Sequence, residues 1–323
     1  MIDQFGRTID YMRVSITDRC NLRCRYCIPE GISLAHHDDI LRYEEILHIC
    51  DIAVSLGIKN FKITGGEPLV RKGCVDFIAL LKRMTGVEQV TITTNGLLLP
   101  ENLDALCAAG VDAVNISIDT LCDDKYKELT GYHGNVSSFM KNTLAECVKR
   151  GLKVKVNAVL LAYTSDGISA MAALAEKLPI DVRFIELMPI GEAAGMTGIP
   201  MDDALRGLQQ NWPDLQPTEE KRGNGPAHYY TAAGLKGRIG FIDAVSNRFC
   251  ERCNRVRLTS TGFLNTCLCY EEGIDLKALL RDGYPDTAIR TTMEECIQHK
   301  PLAHCFDQKE YTAKHKTMNQ IGG

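Results

Sequence analysis

The sequence predicts an α/β protein whose central element is a parallel sheet curved into a partial (β/α)6 barrel. Between Tyr11 and about Met188, short β-branched runs alternate with longer amphipathic segments, which is the pattern of consecutive strand–helix units. Gly57, Gly110 and Gly151 follow three helical segments, at the position where a left-handed residue ends a helix. Six units are fewer than the eight of a closed barrel, and this favours an open barrel. A flat doubly wound sheet is the alternative, because periodicity does not distinguish the two.

Each predicted strand of this first part is a short run rich in β-branched and apolar residues. In chain order the strands are Tyr11–Ile16, Lys59–Thr64, Gln89–Thr94, Asp112–Ile118, Lys153–Leu160 and Val182–Leu187. The predicted helices lie between them and have apolar residues at helical spacing. They include Glu44–Leu56, Val75–Met84, Leu103–Ala109, Ser138–Arg150 and Ile168–Leu178. In a barrel of this kind, the functional site is expected at the carboxyl ends of the strands.

The pattern changes after Gly191. The stretch Gly191–Pro200 is rich in glycine and alanine, and Lys221–Pro226 is typical of a polar turn. Short strands are predicted at His228–Ala232, Arg238–Ile242, Val256–Thr259 and Phe263–Thr266, and helices at Leu276–Arg281 and Asp286–His299. We therefore expect a barrel at residues 5–190 and a small α+β region at residues 191–323 that closes the open side of the barrel.

Composition and charge exclude several classes of protein. The chain has 323 residues, of which 45% are hydrophobic and 24% charged, with a formal net charge of −4. There is no basic excess to follow a phosphate backbone, so a nucleic-acid partner is not expected. No apolar run approaches the ~18–20 residues of a membrane span. Since the N-terminus also lacks the order of a secretory signal, we expect a cytoplasmic protein without a membrane partner.

Three of the fourteen cysteines are closely spaced just after the first predicted strand. Cys20, Cys24 and Cys27 form a C-x3-C-x2-C motif. In a reducing compartment, clustered cysteines more often bind metal or catalyse than form disulfides. Three thiolates can hold three irons of a cubane iron–sulfur cluster and leave the fourth iron open for chemistry. Zinc is the alternative, but a fourth ligand is not evident nearby.

A second triplet lies near the other end of the chain. Cys250, Cys253 and Cys267 form C-x2-C-x13-C, and Cys269 could compete as a ligand. Arginines gather around both triplets: Arg13, Arg19, Arg23 and Arg25 near the first, and Arg248, Arg252, Arg255 and Arg257 near the second. They indicate either solvated surface charge or a small polyanionic ligand. The scattered cysteines are interpreted as buried free thiols: Cys50, Cys74, Cys107, Cys122, Cys147, Cys296 and Cys305.

A Gly-Gly-Glu-Pro string, Gly65–Pro68, follows the second predicted strand, and its glycines allow close approach of backbone to a ligand. Together with the C-x3-C-x2-C motif, this string resembles the radical S-adenosylmethionine (SAM) superfamily. The resemblance implies a TIM-like partial barrel of the radical SAM type. It also implies that the open iron of a 4Fe–4S cluster binds SAM, which is split into methionine and a 5′-deoxyadenosyl radical. The residues implied around SAM are Tyr26, Gly66, Ser117 and Met188.

The second triplet, the Asn254–Arg257 string beside it and the terminal Gly-Gly resemble the GTP 3′,8-cyclase (MoaA) family from about residue 5 to the end. In that family the cysteines Cys250, Cys253 and Cys267 would hold a second 4Fe–4S cluster, whose open iron meets the guanine of GTP. The implied GTP contacts are Arg13, Lys62, Thr93, Lys155, Arg183, Arg255, Val256 and Arg257. The implied catalytic residues are Arg255, Arg257, Gly322 and Gly323, the last two because the tail is thought to reach the active site.

The resemblance implies that a ribose hydrogen of GTP is abstracted from C3′ and that C3′ then bonds to C8 of the guanine. The product would be 3′,8-cyclo-7,8-dihydro-GTP, the first step of molybdenum cofactor biosynthesis. Implied partners are a second copy of the chain, a reductant protein and the downstream cyclic pyranopterin monophosphate synthase. Three departures from the family are Lys62, where arginine is common, Asn60, where a further basic residue is often seen, and Cys269, which could compete as a ligand although the family spacing favours Cys267.

Two rival interpretations stay open from the sequence. One is a different radical SAM enzyme with an auxiliary cluster, such as one that modifies a peptide. Such enzymes typically have more cysteines in the C-terminal region, and they give no reason for the Asn254–Arg257 string. The other is a non-catalytic iron–sulfur or zinc-binding module, which would not cleave SAM.

Overall fold

The computed structural model describes residues 1–28, 31–306 and 317–322, and its main element is one twelve-stranded sheet. The strands are β1 (Tyr11–Ser15), β2 (Asn60–Thr64), β3 (Gln89–Thr94), β4 (Ala113–Ser117), β5 (Lys153–Val159), β6 (Asp181–Ile185), β7 (Gln216–Thr218), β8 (His228–Thr231), β9 (Ile239–Ile242), β10 (Arg255–Leu258), β11 (Phe263–Asn265) and β12 (Gly273–Asp275). Their order across the sheet is β12-β11-β10-β1-β2-β3-β4-β5-β6-β9-β8-β7. The predicted strands are therefore present, and the short strands β7 and β12 were not predicted.

Strands β1 to β6 are parallel in chain order, which confirms the predicted α/β fold class. The C-terminal region adds one parallel strand at each edge: β10 pairs with β1 and β9 pairs with β6. Antiparallel strands then finish both edges. Since the two end strands do not pair with each other within the described residues, the barrel is open, as a six-unit barrel predicts.

The helices pack mainly around the outside of this sheet. They are α1 (Tyr43–Ser55), α2 (Cys74–Arg83), α3 (Leu99–Ala108), α4 (Asp123–Thr130), α5 (Val136–Lys149), α6 (Ile168–Ala172), α7 (Leu174–Lys177), α8 (Met201–Asn211), α9 (Leu276–Arg281), α10 (Asp286–Gln298) and α11 (Met318–Ile321). The sequence did not predict α4, α8 or α11, and it predicted α6 and α7 as one helix. In the described part of the chain, no helix is both long enough and apolar enough to cross a membrane.

Alternation along the strands separates a dry face from a polar interior. In β1, Met12 and Val14 are fully buried in the hydrophobic core, whereas Arg13 between them faces the inside of the barrel. β2 repeats the arrangement, with Phe61 in the core and Lys62 facing inward. Side chains of a strand alternate between faces, so these polar positions line one surface. A closed barrel of this class fills its interior with Val, Ile and Leu, whereas this one keeps a polar cavity.

Candidate active site

A cavity of about 330 Å³ occupies the inside of the barrel, and both cysteine triplets line it. The other predicted site residues that line it are Arg13, Tyr26, Lys62, Gly66, Thr93, Ser117, Arg183, Met188, Arg255 and Arg257. Residues separated by more than 200 positions in sequence therefore meet in one space. This convergence requires the parallel pairing of β1 with β10, which brings the two ends of the chain side by side.

The first triplet lies in the loop that follows β1. Its turn is tight, because the amide N–H groups of Cys27 and Ile28 both donate to the carbonyl of Cys24, at 2.9 Å each. Burial raises the pKa of the Cys24 thiol, and the neighbouring Cys27 raises it further. A bound metal would reverse this effect, since coordination deprotonates a thiol. The loop thus gathers three thiols that stay protonated without a cation and would become thiolates on coordinating one.

The donor set fits a cluster better than a single ion. Within the described ranges, no three His, Cys, Asp or Glu side chains converge on one point where they could hold a metal ion. A tetrahedral zinc needs such convergence. The thiolates of an iron–sulfur cluster each bind a different iron, so their sulfur atoms can stand farther apart. Cys20, Cys24 and Cys27 therefore fit a cluster with one iron that lacks a protein ligand.

Gly65 and Gly66 are required by the backbone that precedes the first triplet. A Cβ atom at Gly65 would lie 2.6 Å from the carbonyl oxygen of Thr17, and one at Gly66 would overlap the carbonyl of Arg19. Gly66 also donates its N–H to the Thr17 carbonyl at 2.7 Å. The sequence interpretation gave these glycines a ligand-facing role. In the structure they also let the β2 loop seat directly against the segment that leads into Cys20.

Glu67, from the same string, is a buried carboxylate to which sequence analysis assigned no contact. It accepts hydrogen bonds from the Asn95 N–H at 2.6 Å and the Thr94 hydroxyl at 2.8 Å, and burial raises its pKa to about 7. Asn95 in turn donates to the Cys20 sulfur at 3.8 Å and to Asn21 at 2.7 Å. Glu67 therefore fixes the β3 loop against the first triplet.

Asp119 is a second buried carboxylate that sequence analysis missed. Its Oδ2 accepts the Tyr26 hydroxyl at 2.8 Å and its Oδ1 accepts the Val159 N–H at 2.8 Å. Burial raises the pKa of Asp119 to about 6. Asp119 stands two residues after Ser117, the last residue of β4. Its position just beyond the carboxyl end of a strand was the sequence signal that could have identified it as a site residue. The contact holds Tyr26 in the cavity wall next to the first triplet.

The second triplet lies at the opposite end of the same strands. Cys253 stands two residues before Arg255, which pairs with Tyr11 at the start of β1, whereas Cys20 follows the end of β1. A strand rises about 3.3 Å per residue, so the five residues of β1 separate the two ends by roughly 17 Å. The cavity between the triplets is therefore long enough to hold one extended small molecule in contact with both.

Lys300 is a buried cation beside the second triplet that sequence analysis did not identify. It is 2% exposed, lines the cavity and donates to the carbonyl of Thr266. Burial alone would raise the pKa of the Cys253 thiol, but Lys300 and Arg255 outweigh it and lower that pKa. A fixed ammonium group at this position stabilises thiolates. Cys253 thus differs from the cysteines of the first triplet, whose pKa values burial raises.

Arg7 joins three segments of chain behind the second triplet. Its guanidinium donates to the carbonyls of Cys250 at 3.0 Å and of residues 300–302 at 2.8–3.1 Å, and its Nε donates to Asp3 at 2.6 Å. Arg7 is only 5% exposed. A planar fork with five donors can satisfy such a set of acceptors, and a lysine cannot. Sequence analysis gave no signal for this residue.

Cys269 pairs with another cysteine rather than with the triplet. Its sulfur lies 3.1 Å from that of Cys305, and the Cys305 N–H donates to it at 3.2 Å. Both thiols are buried in an apolar cluster with Ile190 and Phe306. Cys269 also reaches the cavity wall, so its competition with Cys267 as a ligand is a question for experiment.

Five basic side chains make the middle of the cavity strongly positive: Arg13, Lys62, Arg183, Arg255 and Arg257. None of the five forms an ion pair with any acidic side chain in the described part of the chain. Burial and neighbouring cations lower the pKa of Arg13 to about 10 and that of Arg257 to about 9, and they hold that of Lys62 well below its usual value. The buried Nε of Arg13 lacks a hydrogen-bond partner. Such an arrangement is complementary to a multiply charged anion.

Two predicted GTP contacts lie outside the cavity lining. Lys155 shares the inward face of β5 with the lining residue Asn157, but its ammonium lies 3.9 Å from Asp181 and 3.3 Å from the Tyr229 hydroxyl, nearer the amino end of the strands. The side chain of Val256 lies fully buried in the hydrophobic core, on the face of β10 opposite to Arg255 and Arg257. The reason for Val256 is the alternation of side chains along a strand, which turns every second residue away from the cavity.

The described end of the chain, residues 317–322, lies inside the barrel, where Met318 lines the cavity. The carbonyl of Gly322 accepts a hydrogen bond from Arg257 at 3.3 Å, and Asn319 donates to the carbonyl of Asp18 at 2.9 Å. Gly322 has a φ of 80°, and a Cβ atom there would lie 2.8 Å from the Cβ of Ser15. Only glycine suits that position. The predicted catalytic residue Gly323 lies outside the described residues.

Family models match both parts of the chain. The Radical SAM superfamily model matches residues 14–175 and the Molybdenum Cofactor Synthesis C model matches residues 180–306. Among solved structures, the chain is similar to SuiB of Streptococcus suis bound to S-adenosylmethionine, with a TM-score of 0.62, 15% identity, and coverage of 88% of this chain and 68% of that one. A second SuiB structure, bound to precursor peptide SuiA, has a TM-score of 0.63 and 15% identity, and the match covers 92% of this chain and 66% of that one. At such identities the likeness shows the fold alone.

Sequence relatives match over the whole length. GTP 3′,8-cyclase of Clostridium perfringens (strain SM101) is 41% identical over 325 residues, and that of Heliobacterium modesticaldum is 43% identical over 328. That of Alkaliphilus oremlandii is 43% identical over 326 residues. Each alignment covers 100% of both chains. The chain therefore belongs to the GTP 3′,8-cyclase family of the radical SAM superfamily.

Proposed function

We propose that this chain is a GTP 3′,8-cyclase, which converts GTP to 3′,8-cyclo-7,8-dihydro-GTP in the first step of molybdenum cofactor biosynthesis. The single observation that supports this most strongly is the group of five buried basic side chains between two cysteine triplets. These side chains have no acidic partner in the described part of the chain, and a triphosphate would supply the negative charge that balances them. Neither rival interpretation accounts for cations at that place.

We propose that Cys20, Cys24 and Cys27 hold a 4Fe–4S cluster that binds SAM, and that Cys250, Cys253 and Cys267 hold a second cluster that faces the substrate. When bound, the first cluster and SAM supply a 5′-deoxyadenosyl radical able to remove a hydrogen atom from the ribose. Tyr26, Gly66, Ser117 and Met188, which line the cavity, would contact SAM.

The chain's own contribution is binding, orientation and exclusion of water. Arg13, Lys62, Arg183 and Arg257 would bind phosphate oxygens, while Thr93 would donate a hydroxyl group from the cavity wall. Lys155 would act at longer range, because its ammonium lies next to Asp181 outside the lining. The Gly322 carbonyl is held by Arg257, so the tail would help to position that guanidinium and to exclude solvent. Gly323 is included in this assignment from the family resemblance.

The remaining assignments of the family are part of the proposal. We infer a cytoplasmic enzyme that acts as a homodimer, receives electrons from a reductant protein and passes its product to cyclic pyranopterin monophosphate synthase. We also infer a functional division into residues 5–190, which would bind SAM, and residues 191–323, which would supply the second cluster and the Gly-Gly tail.

Product analysis after anaerobic incubation with SAM, reductant and GTP tests the function. We expect about eight irons per reconstituted chain, with 5′-deoxyadenosine and the cyclised nucleotide formed together. Arg255→Ala and Arg257→Ala should lower cyclisation at least tenfold while the first cluster still assembles. Stoichiometric zinc without SAM cleavage would instead identify a binding module. SAM cleavage that GTP does not stimulate would identify a different radical SAM enzyme.

A further inference from the structure

The segment Lys221–Pro226 crosses the amino end of the barrel, beneath the cationic part of the cavity. On one side, Arg222 forms a two-pronged ion pair with Asp181, the first residue of β6, at 2.7 and 3.2 Å. On the other side, the Asn224 amide donates to Asn60 of β2 at 2.8 Å and to Gln89 of β3 at 2.9 Å. We call this segment the floor of the barrel.

The floor is anchored at both of its ends and thin in the middle. Asp181 is only 3% exposed, so its pairing with Arg222 fixes that end of the floor. Gly223, Asn224 and Gly225, which follow Arg222, are exposed residues. Gly225 and Pro226 line the cavity on their inner side. The floor is therefore the wall that separates the cationic part of the cavity from solvent at this end.

Two glycines of the floor face the basic side chains. A Cβ atom at Gly225 would lie 3.8 Å from the Arg183 guanidinium, and one at Gly223 would lie 3.1 Å from the Lys155 ammonium. The absence of side chains there leaves room next to both cations. An anion bound by Arg183 would thus have the floor as its next neighbour in the direction away from the first triplet.

We propose that the floor sets the length of the phosphate chain that the cavity accepts, so that a triphosphate fills the space and a diphosphate leaves it partly empty. This inference rests on the proposed function, since it takes the substrate to be a guanine nucleotide. The terminal phosphate of GTP contacts Arg183 and is stopped by Gly225. Asn224 acts as a positioning residue, because it holds the floor and does not itself face the ligand.

Equilibrium dialysis of GTP, GDP and GMP against the anaerobically reconstituted protein tests the proposal without requiring turnover. Wild-type protein should bind GTP at least tenfold more tightly than GDP. Asn224→Ala, which releases one anchor, should reduce that ratio to below threefold. Gly225→Ala adds a methyl group at an ordinary contact distance from Arg183, so it should fold normally, weaken GTP about tenfold and leave GMP unchanged. Lys221→Ala, an exposed neighbour, is the matched control and should keep the wild-type ratio.

Equal affinity of wild-type protein for GTP and GDP, or an unchanged ratio in both Asn224→Ala and Gly225→Ala, would overturn the floor's role and leave the proposed function intact. Equal weakening of all three nucleotides in Gly225→Ala would also overturn it, because a length limit acts on the longest chain. If wild-type protein binds none of the nucleotides, the proposed function itself fails.

Discussion

At the scale of single residues, the strand positions that face inward decide the chemistry of the barrel. Arg13, Lys62 and Arg183 stand at inward-facing positions of three different strands, so their charges meet in one space. The chain as a whole has a net charge of −4. Inside the cavity these charges have no acidic partner in the described residues, and low-dielectric walls strengthen their field. An anionic substrate is therefore attracted to the interior.

Lys62 makes nucleotide binding dependent on pH. Burial and the neighbouring cations hold its pKa well below the usual lysine value, so it loses its proton at a pH where an exposed lysine keeps it. Since only the protonated amine attracts phosphate, GTP affinity should fall as pH rises from neutrality towards the ordinary lysine pKa. Titration calorimetry of the reconstituted protein at several pH values measures this.

Lys62→Arg is the matched variant for that experiment, because the ordinary pKa of arginine lies about two units above that of lysine, so in the same surroundings arginine keeps its proton to a higher pH. Ionisation of the nucleotide is common to both proteins and cancels in the comparison. The variant should lose several-fold less affinity than wild type over the same pH interval. Identical pH profiles would show that Lys62 does not contact the bound nucleotide.

The choice between Cys267 and Cys269 as the third ligand of the second triplet also belongs to this scale. Cys269 lies 3.1 Å from Cys305 in an apolar cluster, so we expect Cys267 to be the third ligand of the second triplet. Cys267→Ser should lower iron content from about eight to about four per chain, whereas Cys269→Ser should keep about eight. Iron analysis with Mössbauer spectroscopy after reconstitution measures both. A loss of iron in Cys269→Ser alone would reverse the assignment.

Sequence patterns identified most residues of the candidate site, because clustered cysteines and short motifs are local in sequence. They did not identify Glu67, Asp119, Lys300 or Arg7 as site residues. Each of these four acts through a partner that is brought near by folding. Arg7, for example, reaches carbonyl groups more than 240 positions away. Val256 was included with its neighbours Arg255 and Arg257, although alternation along β10 places its side chain in the core.

At the scale of secondary structure, the loops are stabilised more by side chain–backbone contacts than by regular structure. Arg7 is the strongest case, because one guanidinium satisfies carbonyl groups of Cys250 and of residues 300–302. Glu67 has the same role for the β3 loop beside Cys20. Arg7 contacts the loop of Cys250 directly, and Glu67 acts on the loop of Cys20 through Asn95; both cysteine loops have little helix or strand of their own.

Arg7→Lys should release the loop that contains Cys250. Lysine keeps the charge next to Asp3, but it lacks the donors needed for the carbonyl groups, and each buried carbonyl left unpaired costs about 1–3 kcal/mol. We expect reconstituted iron to fall towards about four per chain, while the far-ultraviolet circular dichroism stays unchanged. Electron paramagnetic resonance of the reduced protein should show that the remaining cluster still responds to SAM.

Arg150→Lys is the control for this substitution, because Arg150 pairs with Asp104 and Glu146 at the surface. It should retain about eight irons. If Arg7→Lys also keeps both clusters, the contacts behind the second triplet are not needed for its assembly.

The parallel strands were predictable because β-branched runs and helix-ending glycines recur along the first half of the chain. Helix α8 was not, since Gly191–Pro200 before it suggested irregular structure and the helix buries only Ala204 and Leu208. The pairing of β10 with β1 and of β9 with β6 was not predictable either. Nothing in a short strand's own residues specifies a partner at such a distance in the chain.

At the scale of the whole molecule, the charged cavity lowers the stability of the empty protein and at the same time favours the binding of an anion. Buried cations without acidic partners repel one another and lose hydration, which lowers the free energy of unfolding of the empty protein. A bound polyanion restores the balance, and it stabilises the folded state by about 2.7 kcal/mol when its concentration is one hundred times its dissociation constant.

Arg13→Met should therefore stabilise the nucleotide-free protein while weakening GTP. The substitution removes a buried charge and an Nε that lacks a hydrogen-bond partner, so we expect a gain of about 1–2 kcal/mol. Thermal unfolding with and without GTP measures both effects, and the rise in Tm caused by GTP should be smaller in the variant. Arg150→Met, at an exposed ion pair, should leave that rise unchanged. A lower Tm for empty Arg13→Met would contradict the explanation.

The pairing of β1 with β10 has a consequence for biosynthesis of the protein. Tyr11 pairs with Arg255, which leaves the ribosome 244 positions later. At 5–20 residues per second, the first strand and the cysteines that follow it wait roughly 12–50 s for the strand beside them. During that interval the thiols of Cys20, Cys24 and Cys27 have no completed cavity around them and are open to oxygen. Iron is therefore best delivered after translation ends, when one docking event closes the wall around both triplets.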